Sequence, residues 1–196
     1  MLSRMTPLDT LLSITLGVAL AAATGFRVFL PLLVTSVAAY TGHLHLADSF
    51  AWLGTPAALA MLAVAAVVEV LAYYIPAVDN LLDALTTPLA LVAGTVVSAA
   101  VITDMPPLVK WSTAIIAGGG AAALTQGVTT LVRAKSTAFT AGLGNPVVST
   151  AEMLAAATIS LLALAAPLLA LALVVGFCVI TVRLVRRFLR SGKPAQ

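Results

Sequence analysis

The sequence predicts an all-α membrane protein, a polytopic helical bundle, and three observations carry that prediction. The chain is 61% hydrophobic and 9% charged, with a mean hydropathy of +1.12, whereas a water-soluble domain carries about 25% charged residues. Several apolar runs exceed the roughly 20 residues that cross a hydrocarbon core about 30 Å thick. None of these runs alternates with period two, as the strands of a transmembrane barrel must. The 196 residues therefore read as one integral membrane domain of about six spans.

Residues 8–40 are apolar almost throughout, and as one straight helix they would rise about 50 Å, too far for a single crossing. The stretch must tilt or break. Thr24-Gly25-Phe26-Arg27 followed by Pro31 marks the break, because proline removes a backbone hydrogen bond and glycine tolerates altered dihedrals. A discontinuous first helix follows, and whether it forms one crossing or a re-entrant pair stays open. Arg4 ahead of an apolar run ending in Ala21-Ala22-Ala23 imitates a secretory signal, but apolar character resumes after Arg27, so a structural segment is expected.

Residues 41–49 form a short loop without lysine or arginine, as expected on the non-cytoplasmic face. Its His43, His45 and Asp48 read as a solvated turn rather than a metal site. A second span covers 51–75 and is closed by Pro76, which forces its predecessor out of the helical region. A third covers 80–103. Lys110 and Trp111 anchor a fourth that reaches about residue 132. In it Ala114, Gly118 and Ala122 share one face and Gly119, Ala123 and Gly127 a neighbouring one, so another helix can approach closely.

Arg133 and Lys135 mark 133–145 as a cytoplasmic loop, ending in a helix break near Asn145-Pro146. The apolar stretch beyond it is too long for one span, and Ala165-Ala166-Pro167 is its only turn. Five of the ten basic residues, Arg183, Arg186, Arg187, Arg190 and Lys193, crowd the C-terminus. They define a basic tail over 183–196 that stays cytoplasmic and can meet anionic lipid headgroups, with no nucleic acid partner expected. Both termini are then cytoplasmic. Cys178 is the single cysteine, so it forms no disulfide within the chain and reads as a packing thiol.

The polar groups inside the apolar runs are the candidate site. Arg27 would cost about 2.5 to 3.5 kcal/mol at a span centre and needs a partner, for which Glu69 is the candidate. Asp79 and Asp83 lie one helical turn apart on one face. Helix capping explains them, and so does a carboxylate pair for a proton, a cation or Mg²⁺. Ser149-Thr150-Ala151-Glu152 fits a capping box, while Asn145, Ser149 and Glu152 with the free amides of the new helix also suit an anion pocket, helped by Arg133 or Lys135. Tyr73 and Tyr74 read as interfacial anchors and Gln126 as an interhelical hydrogen bond.

These residues resemble an uncharacterised family of bacterial integral membrane proteins, domain of unknown function 4126. The resemblance rests on three motifs in order: Gly25-Phe26-Arg27-Val28-Phe29-Leu30-Pro31, then Glu69 ahead of Ile75-Pro76-Ala77-Val78-Asp79-Asn80-Leu81-Leu82-Asp83, then Gly142-Leu143-Gly144-Asn145-Pro146-Val147-Val148-Ser149-Thr150-Ala151-Glu152. Two positions depart from it. The family pattern has Asp-Lys before Ile-Pro, where this chain has Tyr73-Tyr74, and a histidine in the fourth span where this chain has Gln126. The family has no established activity, so the resemblance implies a bacterial inner-membrane location and a set of residues, not a reaction.

The leading expectation is a small inner-membrane transporter or permease. Broken helices around a midplane site are a recurrent transporter design. Glu69 or Asp83 would take a proton or cation, and Arg27 with the Asn145 helix start would favour an anionic solute. The alternatives are a non-catalytic membrane scaffold or accessory subunit, and an Mg²⁺-dependent enzyme acting on a lipid or isoprenoid phosphate through Asp79 and Asp83. The second acidic motif of membrane prenyltransferases is missing, and no Ser/His/Asp triad, Cys/His pair or phosphate-binding loop is present, so an enzyme is the less favoured class. No cofactor is implied. Membrane lipids are the expected surroundings, and a homo-oligomer is compatible with the sequence.

Overall fold

A computed structural model describes residues 6–103 and 105–191. The side chains of Asp79, Asn80 and Asp83 lie outside the described residues. The described residues form eight α-helices: α1 (Pro7–Thr24), α2 (Phe29–Tyr40), α3 (Pro56–Ala72), α4 (Pro76–Val101), α5 (Pro107–Thr113), α6 (Gly120–Thr140), α7 (Asn145–Ala165) and α8 (Pro167–Ser191). A 3₁₀ segment, Asp48–Gly54, precedes α3, and a π-helical segment, Ala114–Gly119, joins α5 to α6. No strand occurs among the described residues, and the all-α class holds.

Proline sets most of the boundaries. Helices α1, α3, α4, α5 and α8 each begin on one, where the missing N–H has no intrahelical acceptor to lose. Thr6 and Thr55 cap α1 and α3 through their hydroxyls. The first apolar stretch does break, between Thr24 and Phe29. Pro31 is absorbed in the first turn of α2, and the break itself falls at Gly25. The expected breaks at Asn145-Pro146 and at Pro167 are also present. The expected cytoplasmic loop at 133–145 is not a loop: α6 runs on to Thr140 and only 141–144 turn.

Helix α1 is the core element, packed against α4, α6, α7 and α8, and Ala19 to Thr24 are wholly inaccessible. Small side chains bring the backbones together. A Cβ added at Gly118 would lie 2.5 Å from Ser98 Cβ, and one at Gly94 2.5 Å from Ala122 Cβ. The expected Ala114, Gly118 and Ala122 face is therefore a packing face against α4. On α3, Ala58, Leu62, Ala66 and Glu69 turn inward while Met61, Val64, Val68 and Leu71 are exposed, an apolar exterior suited to hydrocarbon.

Among the described residues, three helical units are long and apolar enough to cross a membrane, α1, the continuous Pro107–Thr140 and α7. A fourth is added if Asp48–Gly54 and α3, bent by 66°, count as one span. Phe29–Tyr40 is apolar but shorter, as are Leu85–Val101 and Pro167–Ile180, the parts of α4 and α8 whose side chains are described. The described residues thus show three or four spans, and six is not shown.

A buried charge cluster at the first helix break

The cluster starts where α1 ends. A Cβ at Gly25 would lie 2.5 Å from the Ala122 carbonyl oxygen and 2.6 Å from Thr125 Cβ. Only glycine lets the chain touch α6 there. The chain then turns into α2, whose first amides have no intrahelical acceptor and whose N-cap residue, Val28, offers no side-chain oxygen. Glu69 of α3 supplies the acceptors. Its Oε1 accepts from Val28 N–H at 2.7 Å and its Oε2 from Phe29 N–H at 3.0 Å. A carboxylate from one helix thus caps another, at the positive end of its dipole.

Glu69 is therefore not the ion-pair partner of Arg27. Arg27, 1% exposed, reaches α7 instead. Its Nη2 donates to the Ser149 carbonyl at 2.9 Å and to the Ser149 hydroxyl, and lies 3.6 Å from Glu152 Oε2. Glu152 also receives Arg133 of α6 in a bidentate pair, Nε to Oε1 at 3.0 Å and Nη2 to Oε2. Both guanidinium carbons lie over the Tyr73 ring, 3.9 Å from its centroid for Arg27 and 4.2 Å for Arg133. The Tyr73 hydroxyl meets Thr86 Oγ1 at 3.2 Å, to which Gln126 Nε2 donates at 3.1 Å. Among the described side chains, two cations and two carboxylates are thus buried together.

Several expectations change. Ser149 and Glu152 do not form a capping box: α7 starts at Asn145, and Ser149 lies a turn inside it. The turn is held by Thr140, whose Oγ1 accepts from Gly144 N–H at 2.9 Å. Asn145 is buried and donates to Thr137 Oγ1 at 3.1 Å, so it ties α6 to α7. Asp79 is not the N-cap of α4, because that helix begins at Pro76 with Ile75 in the cap position. The backbones of Asp79 and Asp83 occupy its first two turns, and their side chains lie outside the described residues. Tyr73, 4% exposed, is no interfacial anchor. Tyr74 is exposed and its hydroxyl meets Thr150 Oγ1 at 2.8 Å. Gln126 bonds between helices as expected.

Arg133 and Tyr73 are the site residues that composition misassigned, and for Arg133 spacing held the signal. Ala122, Gln126, Thr129 and Arg133 fall at intervals of four, three and four, as do Asn145, Ser149, Glu152 and Ala156, with all eight buried. Each set is one inward helical stripe.

Two features leave room for a ligand. Arg27 Nε and Nη1 are buried without a hydrogen-bond partner, and stacking on Tyr73 engages the face of a guanidinium, not its in-plane N–H groups. A cavity of about 140 Å³ adjoins the cluster, with Phe26, Phe177 and Glu152 in its wall.

Residues 14–187 match the profile described as domain of unknown function, DUF4126. The chain is a DUF4126 protein. In this DUF4126 chain every residue of the cluster, from Arg27 to Glu152, falls inside the matched region. Comparison of the DUF4126 chain with curated proteins and with solved structures finds no match.

Proposed function

We propose that this DUF4126 protein is a small membrane transporter whose polar intramembrane site binds an anionic solute at Arg27, with a proton as the coupling ion. The observation that carries the reading is the state of Arg27. It is sealed from solvent, yet Nε and Nη1 lack partners, and a buried donor without an acceptor costs about 1 to 3 kcal/mol. A site that gives up that free energy in its empty form regains it when an anion enters. The broken α1–α2 helix beside it supports the same reading. The test is uptake of labelled sulfate, phosphate and short carboxylates into proteoliposomes. The native chain accumulates at least one of them under an inward proton gradient, and Arg27→Gln lowers that rate about tenfold or more. No flux of any anion with the native chain would sink the reading.

A second reading, a non-catalytic scaffold or accessory subunit, draws support from the burial of Arg27 and Glu69, 1% and 5% exposed. It expects the same loss of stability on mutation with no flux to lose.

A further inference from the structure

The cavity where the α1–α2 break meets α6, α7 and α8 is a site of its own, since Arg27 does not line it. We infer that it binds a small neutral aromatic molecule carrying one hydrogen-bond donor, a phenol, which enters from the hydrocarbon. This site goes beyond the anion site at Arg27 and does not depend on it. The cavity measures about 140 Å³, and six of its eight lining residues are apolar. An apolar cavity of about 150 Å³ stays dry and accepts benzene, so one substituted ring fills this one. The Phe26 and Phe177 rings in its wall stand 5.2 Å apart, tilted by 54°, and offer faces and edges to a third ring. Val132 and Ala151 of the same wall are exposed on the outside of the bundle. A solute dissolved among lipid chains therefore reaches the cavity from the side.

The two polar side chains in the wall accept and do not donate. Thr129 commits its hydroxyl hydrogen to the Gln126 carbonyl at 2.9 Å, with the Gly25 carbonyl at 3.4 Å, and among the described residues its oxygen accepts from no group. Glu152 accepts from Arg133 Nε and Nη2, which occupies two of the roughly four lone-pair positions of a carboxylate. Arg27 Nη2, at 3.6 Å, stands beyond hydrogen-bond length. An open acceptor in an apolar wall is matched by an O–H carried on a ring. An anion meets no side-chain donor in this wall and faces a carboxylate, while an ammonium ion would lose its hydration beside two guanidiniums. The matching guest is neutral, apolar over its body and a donor at one point, as a phenol is. Its O–H donates to Glu152 without giving up the proton, so no group changes charge. Because Glu152 also faces Arg27, a guest on the flank touches the charge cluster through one shared carboxylate.

The test is equilibrium binding of labelled phenol to the purified full chain in nanodiscs, with empty nanodiscs subtracted and each competitor scaled to its concentration in the bilayer. Binding should be saturable. Toluene has the same shape without the donor and should compete about tenfold less well or worse, the difference made by one hydrogen bond to a charged acceptor. Benzoate, an anion of similar size, should also compete about tenfold less well or worse. Filling the cavity with Ala155→Phe should weaken phenol binding about tenfold or more. If that variant does not fold, the comparison of phenol with toluene on the native chain decides. Toluene or hexane competing as well as phenol overturns the inference, because the cavity then takes any hydrocarbon, lipid chains included. Benzoate competing as well as phenol, or no saturable binding above that of empty nanodiscs, overturns it too.

Discussion

Glu152 meets two guanidiniums at once, Arg133 by a bidentate pair and Arg27 at 3.6 Å, so its removal takes a counter-charge from both. Glu152→Gln should lower stability by about 3 to 5 kcal/mol, read as thermal unfolding of the detergent-solubilised chain. Glu69→Gln should cost less, about 1.5 to 3 kcal/mol, because it exchanges one acceptor of two backbone amides for a donor. The reverse order would show that Arg27 depends on Glu69 after all. At this scale the sequence made Arg27 and Glu69 conspicuous, since a lone charge in an apolar run is costly wherever it sits. It did not show which carboxylate goes where. That depends on the direction in which the chain leaves Gly25: the turn aims the bare amides of Val28 and Phe29 at Glu69 and the guanidinium at α7.

The joint between α1 and α2 is held from outside, by close packing on α6 at Gly25 and by Glu69 of α3 at Val28. Gly25→Ala places a methyl group into backbone and should cost about 1 to 3 kcal/mol. Gly127→Ala, in the interior of α6 with nothing near its added Cβ, should instead stabilise by up to about 1 kcal/mol. The pair distinguishes contact from helix propensity, and equal effects in denaturation would remove the packing account. Helix boundaries at Pro76, Pro146 and Pro167 were legible because proline acts locally, whereas the start of α3 at Pro56 lies five residues beyond the expected start of the second span. The continuation of α6 through Arg133 was not legible, because a charge-bearing segment reads as a loop until its partner is known. Here one partner is Glu152, nineteen residues on, across a turn that only the folded chain closes.

For the whole molecule, the apolar runs identified a helical bundle with an exterior suited to lipid, but not how many segments cross. In the six-span arrangement three crossings separate His43 from Leu143. In a Cys178→Ser background, His43→Cys should react with an impermeant thiol reagent from outside and Leu143→Cys only after permeabilisation. Labelling of both from one side would rule that arrangement out. The cluster also draws on widely separated parts of the chain, Arg27, Glu69, Arg133 and Glu152, and this sets a schedule for biogenesis. Arg27 is synthesised 125 residues before Glu152, and at about 5 to 20 residues per second it waits about 6 to 25 s for that counter-charge. Through that interval Arg27 is without the α7 contacts that hold it in the folded chain. Chains truncated after α6 never complete it, and pulse-chase labelling should find them degraded while the full-length protein persists.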